Sequence, residues 1–343
     1  MPRPPRLAKW LKRLAAFAAI SAFSVFGPLA ASAETRLTVY TNIEPELLGL
    51  YAQAFSEKNP DITIVWVRDS AGPIAARLLA EKDAPKADVI FGLAVSALLP
   101  LEKYGILEAY APQGLDELKP EMYDNRPEPF WIGTNGWGSG ICVNTRVLAA
   151  KGLPMPQSLR DLTDPVYQGQ IVAPSPVSSS TAYTDVATWL LHMGEKAGWE
   201  FMEKLDDNVK MYTHSGCKPA QMVAQGEFAL GISAPVCAKP YQARKAPLVV
   251  VIPQEGTGWD LEAAALVKGG KNSAAAKKLL DFATSSEVAR IGAEHGYIPA
   301  RADVTGPEID AARNGLLPLE PLKVAAMRQI VLEEWRKRFD AGE

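Results

Sequence analysis

Cysteine is scarce in this chain of 343 residues, which has only Cys142, Cys217 and Cys237. So small and odd a set supplies no disulfide framework for the fold. In an oxidising compartment a Cys217–Cys237 bridge is open to it, with Cys142 left in an apolar strand as a thiol, and geometry decides the pairing. Histidine is limited to His192, His214 and His295, and neither HExxH nor a paired CxxC occurs, so a zinc centre has no support. Gly231-Ile232-Ser233-Ala234-Pro235 approaches a nucleophile elbow but lacks its second glycine, and His192 falls inside a helical pattern, which leaves a serine hydrolase poorly supplied. No Tyr-Tyr pair exists, and Tyr241 stands alone in KPYQARK. Excess positive charge is missing as well: the formal net charge is −3, which argues against nucleic acid as a partner. Catalysis, a metal and a cofactor are therefore not expected.

The one long apolar run lies at the N-terminus. Arg3, Arg6, Lys9, Lys12 and Arg13 precede the apolar stretch 14–30, and Ala31-Ser32-Ala33 offers a small-residue cleavage site. Residues 1–33 thus read as a signal peptide. Ser21, Ser24, Gly27 and Pro28 interrupt the stretch, which suits cleavage better than anchoring. Export to the periplasm is the expectation. Loss of the five basic residues takes the charge of the remaining chain to −8. No other segment is long and apolar enough to span a bilayer.

What remains exceeds what a single core usually supports, so two lobes are expected. From Arg36 the pattern alternates: strand 37–40, helix 43–58, strand 62–67, helix 72–81, strand 88–91. Strands apolar on both faces between helices point to a parallel sheet covered on both sides, whose ligands sit outside the strands' carboxyl ends. TNIEP, DSAGP and GLA occupy those ends, with Asn42 and Ser70 as natural helix N-caps and Pro45 and Pro73 in the first turns. Residues 112–129 read as a surface connection. WIGTNGWGSGICVN (131–144) reads as a crossover into a second lobe, and EGTGWDLEAAALV (255–267) carries the chain back. The boundaries that follow are 34–135 for the first part of lobe 1, 136–258 for lobe 2, and 259–343 for the return and C-terminal helices. Lys271–Ser285 has the pattern of an amphipathic helix capped by Asn272, and a last helix is expected near 319–339.

PSPVSSSTAYTD (174–185) organises the second lobe. A strand at 170–173 precedes it and a helix follows, so Ser178, Ser179, Ser180 and Thr181 fall where a strand hands over to a helix. Hydroxyls, free backbone N–H groups and the helix dipole converge there, an anion cradle without lysine or arginine. Ordinary helix capping plus a polar loop is the simpler reading of this stretch taken alone. The device recurs at Thr213, His214 and Ser215, before a helix with Pro219 in its early turn.

The order of these pieces resembles the solute-binding proteins of ABC importers. VYTNIEP, WVRDSAG, ADVIFGLA, DPVYQGQIVAPSPVSSSTA, YTHSGCKP, GEFALGIS, GWDLEAAALV and the KNSAAAKKLLDFATSSEVA helix carry the likeness, which covers essentially the whole chain after residue 33. Within the iron(III)/thiamine-like cluster it is most similar to 2-aminoethylphosphonate-binding proteins. Asn42-Ile43 and Ser180-Thr181-Ala182 depart from that pattern, the latter replacing a more glycine-rich cradle. The resemblance implies an α/β, type II periplasmic binding protein with mixed central sheets and a two-strand hinge near 133–140 and 255–260. It also implies a monomer that delivers a small ligand to an ABC permease and ATPase. The related ferric-ion binders use adjacent tyrosines, which are absent here; polyamines, thiamine-type compounds and phosphate esters are the other ligand classes.

For an aminophosphonate, Ser178, Ser179, Ser180, Thr181, Thr213 and Ser215, with Thr41 and Ser70 from the facing lobe, are the expected phosphonate donors. Glu44 and Asp260, with Glu262 behind them, are the expected ammonium partners. Trp137, Tyr183, Tyr212 and Trp259 are expected to wall the ethyl chain. Each has an ordinary alternative: Glu44 suits a helix N-terminus, Asp260 a turn, the aromatics a core, and His214 a structural as well as an anion-donating role.

Overall fold

The computed structural model describes Met1 and residues 34–318 and 321–340; the signal-peptide assignment lies outside the described residues. The first lobe opens with β1 (Thr35–Thr41), α1 (Pro45–Lys58), β2 (Ile62–Arg68), α2 (Ala71–Ala80), β3 (Val89–Ala94), α3 (Val95–Glu102) and β4 (Leu107–Glu108). Two 3-10 turns occupy the proline-rich connection before β5 (Ile132–Gly138). The second lobe holds β6 (Gly140–Asn144), α4 (Thr145–Ala150), β7 (Ile171–Pro174), α5 (Ser180–Met193), α6 (Glu195–Asp206), β8 (Val209–Thr213), α7 (Lys218–Gln225), β9 (Leu230–Ser233), α8 (Pro235–Ala243) and β10 (Leu248–Val251). The chain then returns through β11 (Trp259–Val267), α9 (Ser273–Ala283), α10 (Ser286–Glu294), β12 (Ile298–Pro299), α11 (Pro307–Arg313) and α12 (Pro321–Phe339). Among the described residues no helix is long and apolar enough to cross a membrane.

Both sheets are mixed. The first runs β12-β5-β11-β3-β1-β2 with β4 beside β11, and the second runs β10-β6-β9-β7-β8. β1, β2 and β3 are parallel neighbours, as are β8, β7 and β9. Their carboxyl ends are where helices begin, so the strand-to-helix turns of each lobe gather on one edge. β11 returns antiparallel between β3 and β5. Residues 136–138 pair with β11 as the end of β5, so the first sheet keeps them and the crossover narrows to Ser139.

Several local devices differ from their sequence expectation. Asn42 does not cap α1: Glu44 holds the N-cap position, while the Asn42 amide reaches across to Glu262. The Asn272 side chain makes no cap bond either, but donates to Asp88 Oδ2 and the Arg36 carbonyl, each at 3.0 Å. The buried Asp88 carboxylate also accepts from the Thr38 and Asn272 amides, both at 2.9 Å, tying β1, β3 and the start of α9 together. Gly92–Ala94, placed beyond a strand expected to stop at residue 91, completes β3.

Two apolar cores result. One surrounds the first sheet and continues into α7 and α8; the other lies between the second sheet, α5, α6 and α12. α12 packs against α3 of the first lobe and α5 of the second, so the last segment is not confined to the first lobe. The two sheet-to-sheet crossovers lie side by side, with the Ser139 amide donating to the Gly258 carbonyl at 3.1 Å. A third segment joins them through a Thr257–Leu316 bridge.

α5 backs this hinge with polar side chains. Ser139 Oγ donates to the fully buried Asp185 at 2.8 Å, and burial pushes the Asp185 carboxyl up to about 7 while that hydrogen bond pulls it down. Between the ordinary aspartate range and pH 7 the unfolded chain is ionised there and the folded chain is not. The unfolded state then binds fewer protons, and stability falls as pH rises through this window. A shift from 3.8 to about 7 corresponds to roughly 4 kcal/mol. Asp185→Asn is expected to flatten this fall, gaining stability at pH 8 and little at pH 4; urea unfolding at the two pH values checks it, and equal slopes in both proteins would contradict the assignment.

Candidate functional site

Five helix N-termini meet in the cleft between the lobes. An inner cavity of about 50 Å³ is lined by Glu44 at the start of α1, Ser70 and Ala71 at α2, Ser179–Thr181 at α5, Ser215–Cys217 at α7, and Ala234 and Val236 at α8. At 10–15 Å³ of such space per water, it holds roughly four waters. The first amides of each helix have no intrahelical acceptor, so the Ser180 and Thr181 N–H groups are open to a ligand, and the dipoles add partial positive charge. This is anion-binding architecture.

The two readings of the serine stretch turn out to be compatible. Ser179 Oγ accepts from the Ala182 amide at 3.5 Å and Ser215 Oγ from the Cys217 amide at 3.2 Å. A hydroxyl that accepts still has its proton to donate, so the Ser179 cap and the Ser215 turn each orient a donor. Gly216 permits the two loops to meet: a Cβ there would lie 2.4 Å from Thr181 Oγ1 and 2.8 Å from Ser179 Oγ. Ser233 Oγ clamps the same loop from beneath, donating to the Gly216 carbonyl at 2.6 Å.

The first-lobe wall has a different chemistry. Glu262 is the last residue before an irregularity of β11, where pairing shifts against β5 after Glu262 and against β3 after Ala263. Burial, followed by the neighbouring Asp260 charge, holds its carboxyl well above the usual range, opposed by the Asn42 amide. Burial also raises Glu44, against the pull of Arg68. Arg68 Nη2 donates to Glu44 at 2.6 Å and its Nε to the Ile43 carbonyl at 2.7 Å. Trp137 and Tyr297 complete the wall, and the buried Trp137 Nε1 has no hydrogen-bond partner among the described residues.

Of the expected site residues, Ser70, Ser179, Ser180, Thr181, Ser215, Glu44, Glu262 and Trp137 line this cavity. The others stand elsewhere. Ser178 Oγ donates to the His214 carbonyl at 2.8 Å, on the closed seam between the lobes. Thr213 turns to the Ser215 carbonyl, and Thr41 accepts from the Ile43 amide. Asp260 lies behind the cavity, accepting from Thr184, Ser96 and its own neighbour Leu261. Tyr183 donates to the Val324 carbonyl under the Arg328 guanidinium, whose two terminal nitrogens are buried without hydrogen-bond partners among the described residues. Tyr212 donates to Asp206 and packs edge-on against Trp335, and Trp259 donates to the Leu317 carbonyl. These aromatics serve cores and the hinge, not the cavity wall. Arg68, Asn42, Gly216, Tyr297 and the cysteines were not anticipated as lining. Arg68 was legible by its place at the end of β2, but Tyr297 comes from beyond α10 with no local signal.

Cys217 and Cys237 are disulfide-bonded and line the cavity, while Cys142 is a buried thiol. Across the seam the Gly72 amide donates to the Ser178 carbonyl at 2.9 Å, Ser70 Oγ to the His214 carbonyl at 3.1 Å, and His214 Nε2 meets Asp69 at 2.8 Å. A Cβ at Gly72 would lie 2.3 Å from the Val177 carbonyl oxygen, so this side shuts only on glycine. On the other side an outer chamber of about 590 Å³ adjoins the cavity, sharing Glu44, Arg68, Ser215 and Tyr297 with it. Among the described residues no group of acidic, histidine or cysteine side chains is placed to hold a metal ion.

A cleft between two mixed α/β sheets, lined by converging helix N-termini, defines a solute-binding protein of the type II periplasmic fold. The chain belongs to the bacterial extracellular solute-binding protein family whose model matches residues 84–326. A Haemophilus influenzae protein described only as uncharacterized is 34% identical over 267 residues, covering 75% of each chain. A Sinorhizobium fredii protein named "Probable ABC transporter periplasmic-binding protein y4fP" is 25% identical over 199 residues, 57% of this chain and 54% of that one. The periplasmic binding protein AfuA of Actinobacillus pleuropneumoniae, solved with exogenous fructose-6-phosphate bound, superposes with a TM-score of 0.84 at 28% identity, over 90% of this chain and all of that one. The family is one of solute capture for ABC import, working with a permease and ATPase, and these relatives are not described as enzymes.

Gly216→Ala is expected to push Ser215–Cys217 off α5 and to weaken solute binding by about tenfold or more (about 1.4 kcal/mol), with little change in Tm. Calorimetry and a melting curve on the same variant check this; unchanged affinity would remove Gly216 from the seat.

Proposed function

We propose that the protein captures a small zwitterionic phosphonate, 2-aminoethylphosphonate being the simplest, and delivers it to an ABC permease after export. The observation that carries this reading is the two-ended cavity: hydroxyl and amide donors on the second-lobe wall, two carboxyl groups on the first-lobe wall. The phosphonate oxygens are taken by the Ser180 and Thr181 amides and the Ser179, Thr181 and Ser215 hydroxyls, with Ser70 from the facing lobe. The ammonium is met by Glu44 and Glu262. An ammonium beside Glu262 favours its ionised form, so binding releases a proton. Trp137 covers the short chain between the two ends.

The second lobe supplies most of the phosphonate donors and the first lobe both carboxyl groups, so the ligand favours closure because only the closed form joins the two walls. Seven heavy atoms at a ceiling of about −1.5 kcal/mol each allow roughly −10 kcal/mol, near tens of nanomolar. That ceiling is approached only if no polar group is left unpaired.

A phosphorylated sugar is the second reading. The outer chamber has room for a larger body, Arg68 adds a cation to the wall, and AfuA was solved with fructose-6-phosphate. Calorimetry on the chain from Glu34, stripped of ligand by unfolding and refolding, separates the two. Tight one-to-one binding of 2-aminoethylphosphonate is expected, much weakened for ethylphosphonate, with an enthalpy that varies with the buffer's own ionisation heat because a proton leaves. Tight binding of a hexose 6-phosphate and silence with the aminophosphonate would replace the first reading by the second. Binding only of Fe3+ or putrescine would overturn both.

A further inference from the structure

We propose that the Cys217–Cys237 disulfide is a positioning element of the ligand seat, so that the thiol redox state of this pair sets solute affinity. The inference rests on the proposed anion seat only for the ligand used to read it. Both sulfur-bearing residues line the inner cavity and also the outer chamber. Cys217 is the N-cap residue of α7 and Cys237 lies in the first turn of α8, and these are two of the three second-lobe helices that open on the cavity.

The three helices are held differently. α5 is capped by Ser179 Oγ, whereas neither α7 nor α8 has a side-chain cap bond. Both are short, at eight and nine residues, and α8 begins Ala234-Pro235, which contributes no proline N–H. An uncapped short helix frays at its start. The bridge joins the two starts, and the loop beside it is otherwise held by individual side-chain hydrogen bonds, among them Ser233 Oγ on the Gly216 carbonyl, Thr213 Oγ1 on the Ser215 carbonyl and the Cys217 amide on Ser215 Oγ. That loop carries Ser215 and Gly216 of the seat and also His214, whose ring and carbonyl hold the seam to Asp69 and Ser70. Releasing the bridge therefore loosens the seat and the seam together, while the sheets and α5 keep their own supports.

A dithiol reductant breaks the Sγ–Sγ bond by supplying two electrons and two protons. The products are the Cys217 and Cys237 thiols, with the reductant closing to its own disulfide. Cys142 does not enter the exchange, because it is fully buried and burial pushes its thiol up to about 12, leaving almost no thiolate at neutral pH.

The test compares oxidised protein, dithiol-reduced protein and the Cys217→Ala/Cys237→Ala variant. Amide hydrogen exchange is read without ligand, and calorimetry is run with 2-aminoethylphosphonate and with inorganic phosphate. Reduction is expected to speed exchange at residues 214–221 and 235–239 but not at 180–190, and to weaken the better probe about tenfold. The double variant should match the reduced protein and no longer respond to reductant. Leu148→Ala, which lines neither cavity, should lower Tm without moving the Kd, so a merely stabilising bridge is told apart from a positioning one. Exchange and Kd unchanged on reduction, with two thiols titrated, would overturn the proposal. If the oxidised protein binds neither probe, the phosphonate reading falls, and the exchange comparison still decides the role of the bridge.

Discussion

The structure depends on backbone N–H groups that have no partner within their own helices. Every α-helix starts with such amides, and parallel strands feeding helices place them at one edge of a sheet. Two sheets facing each other across a cleft bring five helix starts to one small cavity. Their combined dipoles favour an oxyanion there without a dedicated lysine. Much of the rest of the fold exists to bring those starts within reach of one another: a crossover narrowed to Ser139, a return strand, and glycines at 72 and 216 where backbone meets side chain or backbone.

α5 couples this cavity to the hinge. Its N-terminus forms part of the anion seat, and one turn further Thr184 and Asp185 bond to Asp260 and Ser139 at the crossovers. α12 closes the same region from behind, with Arg328 lying over Tyr183 at 4.3 Å. Burying these polar groups costs stability relative to an apolar contact. They occupy the place where rotation of the lobes must be permitted, which an interlocked apolar core would resist. The cleft itself is asymmetric, shut along residues 69–72, 178 and 214 and open at the outer chamber, so ligand size is limited from one side only.

The electrostatics of the cavity are likewise divided by lobe. The second-lobe wall offers neutral donors and helix dipoles; the first-lobe wall holds Glu44 paired with Arg68, and Glu262, whose carboxyl is pushed well above the usual range by burial and then by the Asp260 charge. An uncharged carboxyl can donate to a ligand oxygen, and an ionised one can accept from a ligand cation. Which form a solute stabilises is thus part of its recognition.

The sequence by itself determined the alternation of strand and helix, the two-lobed class, and the strand-to-helix turns at Ser179–Thr181 and Ser215. These are local matters of period, capping chemistry and proline placement. It also singled out Cys217 and Cys237 as the pair a bridge would join, leaving to geometry whether the bridge forms. Only the tertiary structure decided which polar residues share a cavity. Asp260 and Glu262 are two residues apart in a regular stretch of β11, yet only Glu262 reaches the wall, because Thr184 of α5 and Ser96 of α3 bond to Asp260 and cover it. Tyr183, Tyr212 and Trp259 carried the same composition signal as Trp137 but pack in cores or at the hinge. Arg68, Tyr297 and the bridged cysteines join the site through contacts between elements far apart in the chain. Local sequence sets where a helix can begin, but which side chains meet there depends on register and the approach of the second lobe.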